Sequence, residues 1–241
     1  MITTYNLNKS FGTHQVIKNL DLCVRKNAFF VLLGPNAAGK TTTMKLLAGL
    51  LKPDSGQISI GSIDLLKNPV RAREIIGYIP DHPFLYEKLT GLEFIEFIRD
   101  IYRKDKRAFD LNMGRLLQLL GLNRHITGEC IENYSHGMKQ RLIIAVTLAR
   151  EPLVLMMDEP LVGLDPRTAN IFKTLLKKEC EKGRLTVIIS THTLSVAKEL
   201  ADEVGIIHRG ELSACGPLSM LEEIAGTTDL EKIFLTITQD D

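Results

Sequence analysis

The stretch Gly34-Pro35-Asn36-Ala37-Ala38-Gly39-Lys40-Thr41-Thr42 constrains this chain more than any other. It follows an apolar run, Phe29-Phe30-Val31-Leu32-Leu33, and precedes Met44-Lys45-Leu46-Leu47-Ala48, whose apolar spacing is helical. Strand, loop and helix in that order are the setting in which GxxxxGK[ST] forms a phosphate-binding loop. The chemistry uses every part. Successive backbone N–H groups wrap a β-phosphate, and the N-terminal end of the helix adds partial positive charge. The Lys40 ammonium neutralises β and γ oxygens, and the Thr41 hydroxyl can ligate Mg²⁺. The loop predicts an α/β core that binds a nucleoside triphosphate.

The rest of the chain fits around that core. Residues 1–33 read as short strands with a hairpin break at Gly12-Thr13-His14, and Val16, Ile17, Leu20 and Leu22 suggest one buried face. Phe11 lies just upstream of the loop. Aromatic rings stack on nucleobases, but an isolated aromatic is more often core. After a turn at Pro53-Asp54-Ser55-Gly56, residues 57–61 alternate like a strand, and Ile75–Ile79 is an apolar run stopped by Pro80. From Leu89 to Arg150 the pattern is almost entirely helical, which predicts a helical subdomain inserted at about residues 89–150.

Leu153-Val154-Leu155-Met156-Met157-Asp158-Glu159 then restores the α/β rhythm, with helix (167–182), strand (186–190), helix (194–201) and strand (204–208) following. One or two helices are predicted within residues 211–241. The fold class is therefore α/β: a P-loop NTPase core, mostly parallel sheet flanked by helices, with an N-terminal antiparallel β subdomain and the helical insertion. Its boundaries are read as 1–220 for the ATPase domain and 221–241 for a C-terminal helical extension.

Composition limits the partners. The formal net charge of +1 over 241 residues gives no general attraction to nucleic acid, and no nucleic-acid partner is expected. Cys23, Cys130, Cys180 and Cys215 are scattered without a CxxC pair, which points to reduced thiols in the cytoplasm. The start, Met1-Ile2-Thr3-Thr4-Tyr5, lacks the pattern of a signal peptide. No uncharged apolar run is long enough to span a bilayer; the longest, Leu142–Ala149, is bracketed by Arg141 and Arg150. If the protein works at a membrane, another chain supplies the membrane part.

Asp158 and Glu159 end an apolar strand, where α/β sheets present ligands. Asp158 can hold the shell of a magnesium ion, and Glu159 can polarise a water for in-line attack on a γ-phosphate. His192, at the end of the next apolar strand, is a candidate γ-phosphate sensor. Asn133-Tyr134-Ser135-His136-Gly137-Met138-Lys139-Gln140-Arg141 resembles the LSGGQ signature of ATP-binding cassette (ABC) ATPases. Gly163-Leu164-Asp165 resembles that family's D-loop, His192 falls at its switch histidine, and Phe11 matches the aromatic that stacks on adenine. The resemblance runs from Tyr5 to about Pro217, in its export or antibiotic-resistance branch.

The resemblance implies several things about function. ATP and Mg²⁺ would be bound by Phe11, by Gly34, Pro35, Asn36, Ala37, Ala38, Gly39, Lys40, Thr41 and Thr42, and by Asp158, with Glu159, His192 and Lys40 catalytic. A homodimer or pseudo-dimer would hold ATP between the loop of one subunit and Ser135, Gly137 and Asp165 of the other. Polytopic membrane subunits would be the partners, and the chain would sit peripherally on the cytoplasmic face of the membrane. Three positions depart from the family pattern. Ala37 replaces a glycine, which costs about 1 kcal/mol if that backbone needs a positive φ. His136 and Met138 replace the signature's second-position glycine and its final glutamine. Asp81 stands where the family has a glutamine that touches Mg²⁺; its carboxylate is either a metal ligand or a turn residue facing water. Two other classes fit the sequence less well. A nucleic-acid ABC ATPase would need a long heptad insertion or a second cassette, and an inactive regulator would not need Lys40, Asp158, Glu159 and His192 together.

Overall fold

The computed structural model describes residues 1–82, 84–123, 126 and 128–238. Residues 124, 125 and 127 of the predicted helical insertion, and 239–241 of the predicted extension, lie outside that set. A six-stranded sheet forms the centre. In spatial order its strands are Glu211–Gly216 (β11), Glu203–His208 (β10), Phe29–Leu33 (β4), Thr186–Thr191 (β9), Val154–Asp158 (β8) and Ile76–Ile79 (β7). All pair in parallel except β11, which is antiparallel to β10. A second, antiparallel sheet comes from the N-terminal part: His14–Leu20 (β2), Ile2–Phe11 (β1), Ser55–Ile60 (β5) and Ile63–Asp64 (β6), with Cys23–Val24 (β3) also on β1.

The central strands are apolar without alternation because helices or the second sheet cover both of their faces. Every residue of β4 is buried. Phe29, Val31 and Leu33 point into a cluster shared with helices Gly91–Ile101 (α3), Lys106–Leu119 (α4), His136–Ala149 (α5), Pro166–Glu181 (α6) and Leu194–Leu200 (α7). Phe30 and Leu32 point the other way, into a cluster with Lys40–Leu47 (α1), Pro69–Glu74 (α2) and the antiparallel sheet. Local chemistry starts the helices of the insertion where they are needed. Thr90 and Glu93 form a reciprocal capping box at α3, and Asp105 caps α4 by accepting from the Ala108 N–H at 2.9 Å.

The sequence reading missed one strand. Residues 211–216 fall within a segment expected to be helical, yet they form β11; their alternation covers only Glu211–Ala214 and is lost at Cys215 and Gly216, and pairing with β10 fixes them as a strand. Two helices follow, Leu218–Ala225 (α8) and Leu230–Thr238 (α9). The boundary read between 220 and 221 cuts α8, and Leu221, Leu230 and Ile233 lie in the same buried cluster as the central sheet.

Candidate functional site

Four adjacent parallel strands, β4, β9, β8 and β7, end on one edge of the central sheet. The segments leaving that edge are the ones that carry the sequence motifs: Gly34–Thr42 after β4, His192 after β9, Glu159 after β8 and Asp81 after β7. They surround a cavity of about 390 Å³ lined by His14, Val16, Asn36, Ala37, Gly39, Lys40, Thr41, Thr42, Asp81, Asp158 and Glu159. One ammonium and three carboxylates share it, at the edge where open α/β sheets bind ligands.

The loop's backbone sets its shape. Gly39 has φ 108, a value only glycine adopts freely, and Ala37 has φ 62. The alanine is therefore in the left-handed region, and the strain conditionally expected from sequence is present, at about 1–2 kcal/mol. Gly34 allows a close approach: a Cβ there would lie 2.5 Å from the Ile207 carbonyl oxygen. Lys40 opens α1 and is only 7% exposed. Its Nζ donates to the carbonyls of Gly34 at 2.8 Å and Pro35 at 3.0 Å. Burial holds this ammonium below its ordinary pKa, while the charges of Glu159 and Asp158 oppose that fall.

The acidic pair is held from β9. Ser190, the partner of Asp158 in the β8–β9 register, donates its hydroxyl to Asp158 Oδ1. Asp158 is 3% exposed. Glu159 has φ 46, another strained backbone beside the cavity. Its Oε2 accepts from Thr191 Oγ1 at 2.9 Å, and its Oε1 accepts from the His192 N–H at 3.0 Å. His192 Nδ1 lies 2.7 Å from the same oxygen. An ionised carboxylate only accepts, so that contact requires the tautomer with the proton on Nδ1. The carboxylate best placed to act as a base is thus oriented by a histidine and a threonine. Ser190 and Thr191 had no signal of their own in the sequence, because they reach the acids through strand register.

The other expected residues are distributed differently. Phe11, 49% exposed, pairs with His14 at the end of β1, and Lys9 Nζ lies 5.5 Å from its ring centre. It is outside the cavity lining, whereas His14 and Val16 on the facing strand are in it. Asp81 is in the lining, its side chain 41% exposed and 3.6 Å from His82 Nε2. Ser135, Gly137 and Asp165 lie outside it. Ser135 caps α5, accepting from the Met138 N–H at 3.2 Å. Asp165 caps α6, accepting from the N–H of Thr168 at 3.0 Å and its hydroxyl at 2.7 Å; these bonds hold its carboxyl below the ordinary carboxylate range. Gly163 has φ 82, and any Cβ there would collide with the His136 ring. A Cβ on Gly137 would lie 2.8 Å from the Gly163 oxygen. His136 also meets His82 edge-on at 6.5 Å, so the segment after β7, the start of α5 and the segment before α6 come together.

Known proteins resemble this chain over most of its length. The family model described as ABC transporter matches residues 17–162. The "Uncharacterized ABC transporter ATP-binding protein YxlF" of Bacillus subtilis is 38% identical over 92% of this chain and 73% of its own length. The "Linearmycin resistance ATP-binding protein LnrL" of the same organism is 35% identical over 90% of this chain and 69% of its own. Among solved structures, "Structure of ATP binding subunit of ABC transporter" superposes with TM-score 0.94 at 28% identity, covering 99% of this chain and all of that one. The "Dimeric structure of a post-hydrolysis state of the ATP-binding cassette MJ0796 bound to ADP and Pi" superposes with TM-score 0.81 at 26% identity, over 90% of this chain and 98% of that one.

Proposed function

This chain belongs to the ABC transporter family, and from that premise we propose that it couples ATP-driven dimerisation and hydrolysis to transport through a separate membrane-spanning subunit. The observation that carries the reading is the convergence of Lys40, Thr41, Asp158 and Glu159 on one cavity at the carboxyl edge of the sheet. Loop N–H groups and Lys40 bind the phosphates; Lys40 exchanges its two carbonyl partners for phosphate oxygens. Glu159, already aligned by Thr191 and His192, takes a proton from the attacking water.

The donor set also fits Mg²⁺. Thr41, Asp158 and Asp81 offer hard oxygens beside the phosphate loop, and no group of three or more His, Cys, Asp or Glu among the described residues could cage a metal alone. Few protein oxygens, completed by phosphates and water, is how this ion is ordinarily held. When bound, it neutralises charge that develops on the β and γ oxygens. In the dimer, Ser135, Gly137 and Asp165 of one subunit face the nucleotide of the other; the start of α5 aims its N–H groups there. Resemblance to the dimeric MJ0796 cassette supports this, as does the position of these residues outside the cavity of their own subunit.

No helix among the described residues is long and apolar enough to cross a membrane. In this reading a polytopic partner carries the transport path, with this chain peripheral on its cytoplasmic face, and the relative named for linearmycin resistance supports a transporter of the export or resistance type. Tagged protein recovered from detergent-solubilised membranes should bring down one polytopic chain, and reconstituting the two in vesicles should raise ATP turnover several-fold. Unaltered turnover with every polytopic chain recovered would overturn the coupling.

Asp81 is assigned to the metal shell. Asp81→Ala should raise the Mg²⁺ needed for half-maximal ATPase about 3- to 10-fold, with metal-free ATP binding unchanged or tighter through lost repulsion. Asp81→Gln, whose carbonyl oxygen also ligates Mg²⁺, should be milder. A magnesium titration of the three proteins decides it, and identical curves would leave Asp81 as a turn residue.

A further inference from the structure

A second cavity, of about 600 Å³, lies at the opposite edge of the central sheet, where β4, β8 and β9 begin. Those strands are five or six residues long, so it stands about 15–20 Å from the phosphate loop. Its volume is that of a small-molecule site. None of the residues given a role in nucleotide chemistry lines it.

The walls come from two parts of the fold. Asn112, Arg115 and Leu116 belong to α4 of the helical insertion, while Lys26, Asn27, Leu153 and Leu175 belong to the core around the sheet. Junctions of this kind are where ligand sites commonly form. The inner surface is apolar. Leu116 and Leu185 are buried, Leu148 and Leu175 pack against the main cluster, and Leu153 stays 49% exposed. An apolar side chain so exposed at the start of a strand gains from being covered.

The polar groups of the lining are not balanced. Glu179 is engaged by Lys182 at 2.9 Å and by Arg184 at 3.8 Å. Lys26 and Arg115 have no partner among the described residues, and neither do the side-chain amides of Asn27 and Asn112. Glu151 is the one lining acid left against them. Two cations, one from each side of the junction, and two amide donors therefore face a space with apolar walls. We propose that this cavity binds a small amphipathic anion: an apolar body carrying one carboxylate, sulfonate or phosphate, its head held between Arg115 of the insertion and Lys26 of the core. Such a ligand covers Leu153 and ties the insertion to the core at the end remote from the nucleotide.

The probe is 8-anilinonaphthalene-1-sulfonate, a fluorescent amphipathic anion. Titrated into the full chain, it should show one saturable site that saturating MgATP leaves in place. Arg115→Glu and Lys26→Glu replace attraction with repulsion and should each weaken it about 10-fold. Lys198→Glu, on α7 and outside the cavity, should not. All three variants alter exposed side chains, so each should unfold at the wild-type midpoint. Octanoate should displace the dye, and octanol, with the same tail and no charge, should be at least about 10-fold weaker. Four results would each overturn the proposal: no saturable binding, binding that MgATP abolishes, equal displacement by octanol, or wild-type binding in Arg115→Glu and Lys26→Glu.

Discussion

Lys40→Ala is expected to bring ATP turnover down to background, a loss of at least about 10³-fold, equivalent to about 4 kcal/mol. Lys40 is the only ammonium among the described residues lining the cavity, against the carboxylates of Asp81, Asp158 and Glu159. Taking each at full charge, the lining goes from a net −2 to −3 on substitution, so a triphosphate would enter an acidic cleft with no neutralising partner. Nothing nearby can substitute, because the loop otherwise offers only N–H dipoles. Stability should move the other way, or not at all. Burial already disfavours the Lys40 ammonium, and its two carbonyl bonds are to groups that water can also serve. A variant that unfolds in urea at the wild-type midpoint yet does not turn over ATP is the expected outcome. Unchanged turnover would remove the phosphate-loop reading.

Glu159→Gln is expected to bind MgATP and to hydrolyse it about 10²- to 10⁴-fold more slowly. The amide keeps the shape, and its oxygen can still accept from Thr191 or His192, but it cannot take a proton from water. With hydrolysis blocked, the ATP-bound dimer should accumulate and elute as such in size-exclusion chromatography with MgATP. The same variant separates two roles. Wild-type turnover would take the base away from Glu159, whereas slow turnover with a monomer at high protein concentration would leave the base in place and count against the dimer. His192→Ala, in comparison, should cost less, since Thr191 still holds one oxygen of the base.

The residues that read clearly from sequence are those whose chemistry is written in consecutive positions. The phosphate loop is one: an apolar run, a fixed spacing of Gly34, Gly39 and Lys40, and a helix permit little else. The acids at 158 and 159 are another, since an apolar strand ending in charge must emerge at a sheet edge. Even the strain at Ala37 could be anticipated, because a small loop residue in a glycine position has a known conformational cost. Family resemblance supplied Phe11, Ser135, Gly137 and Asp165, which composition and periodicity alone would have left as ordinary loop residues.

What the tertiary structure decided is everything that depends on register between distant segments. Ser190 meets Asp158, and Thr191 and His192 meet Glu159, only because β8 and β9 pair with residue 158 opposite 190. A one-residue slip would turn each of those side chains to the other face. The His82–His136 contact and the fit of Gly163 against His136 arise the same way, from elements far apart in the chain. Strand β11 was invisible for the related reason that its six residues alternate too weakly to specify a strand before β10 offers its edge. The sequence by itself determined which chemical groups this protein carries and the order in which they follow the strands. Only packing decided which of them touch, because a pairing energy between residues 30 to 180 positions apart exists only after the sheet has closed.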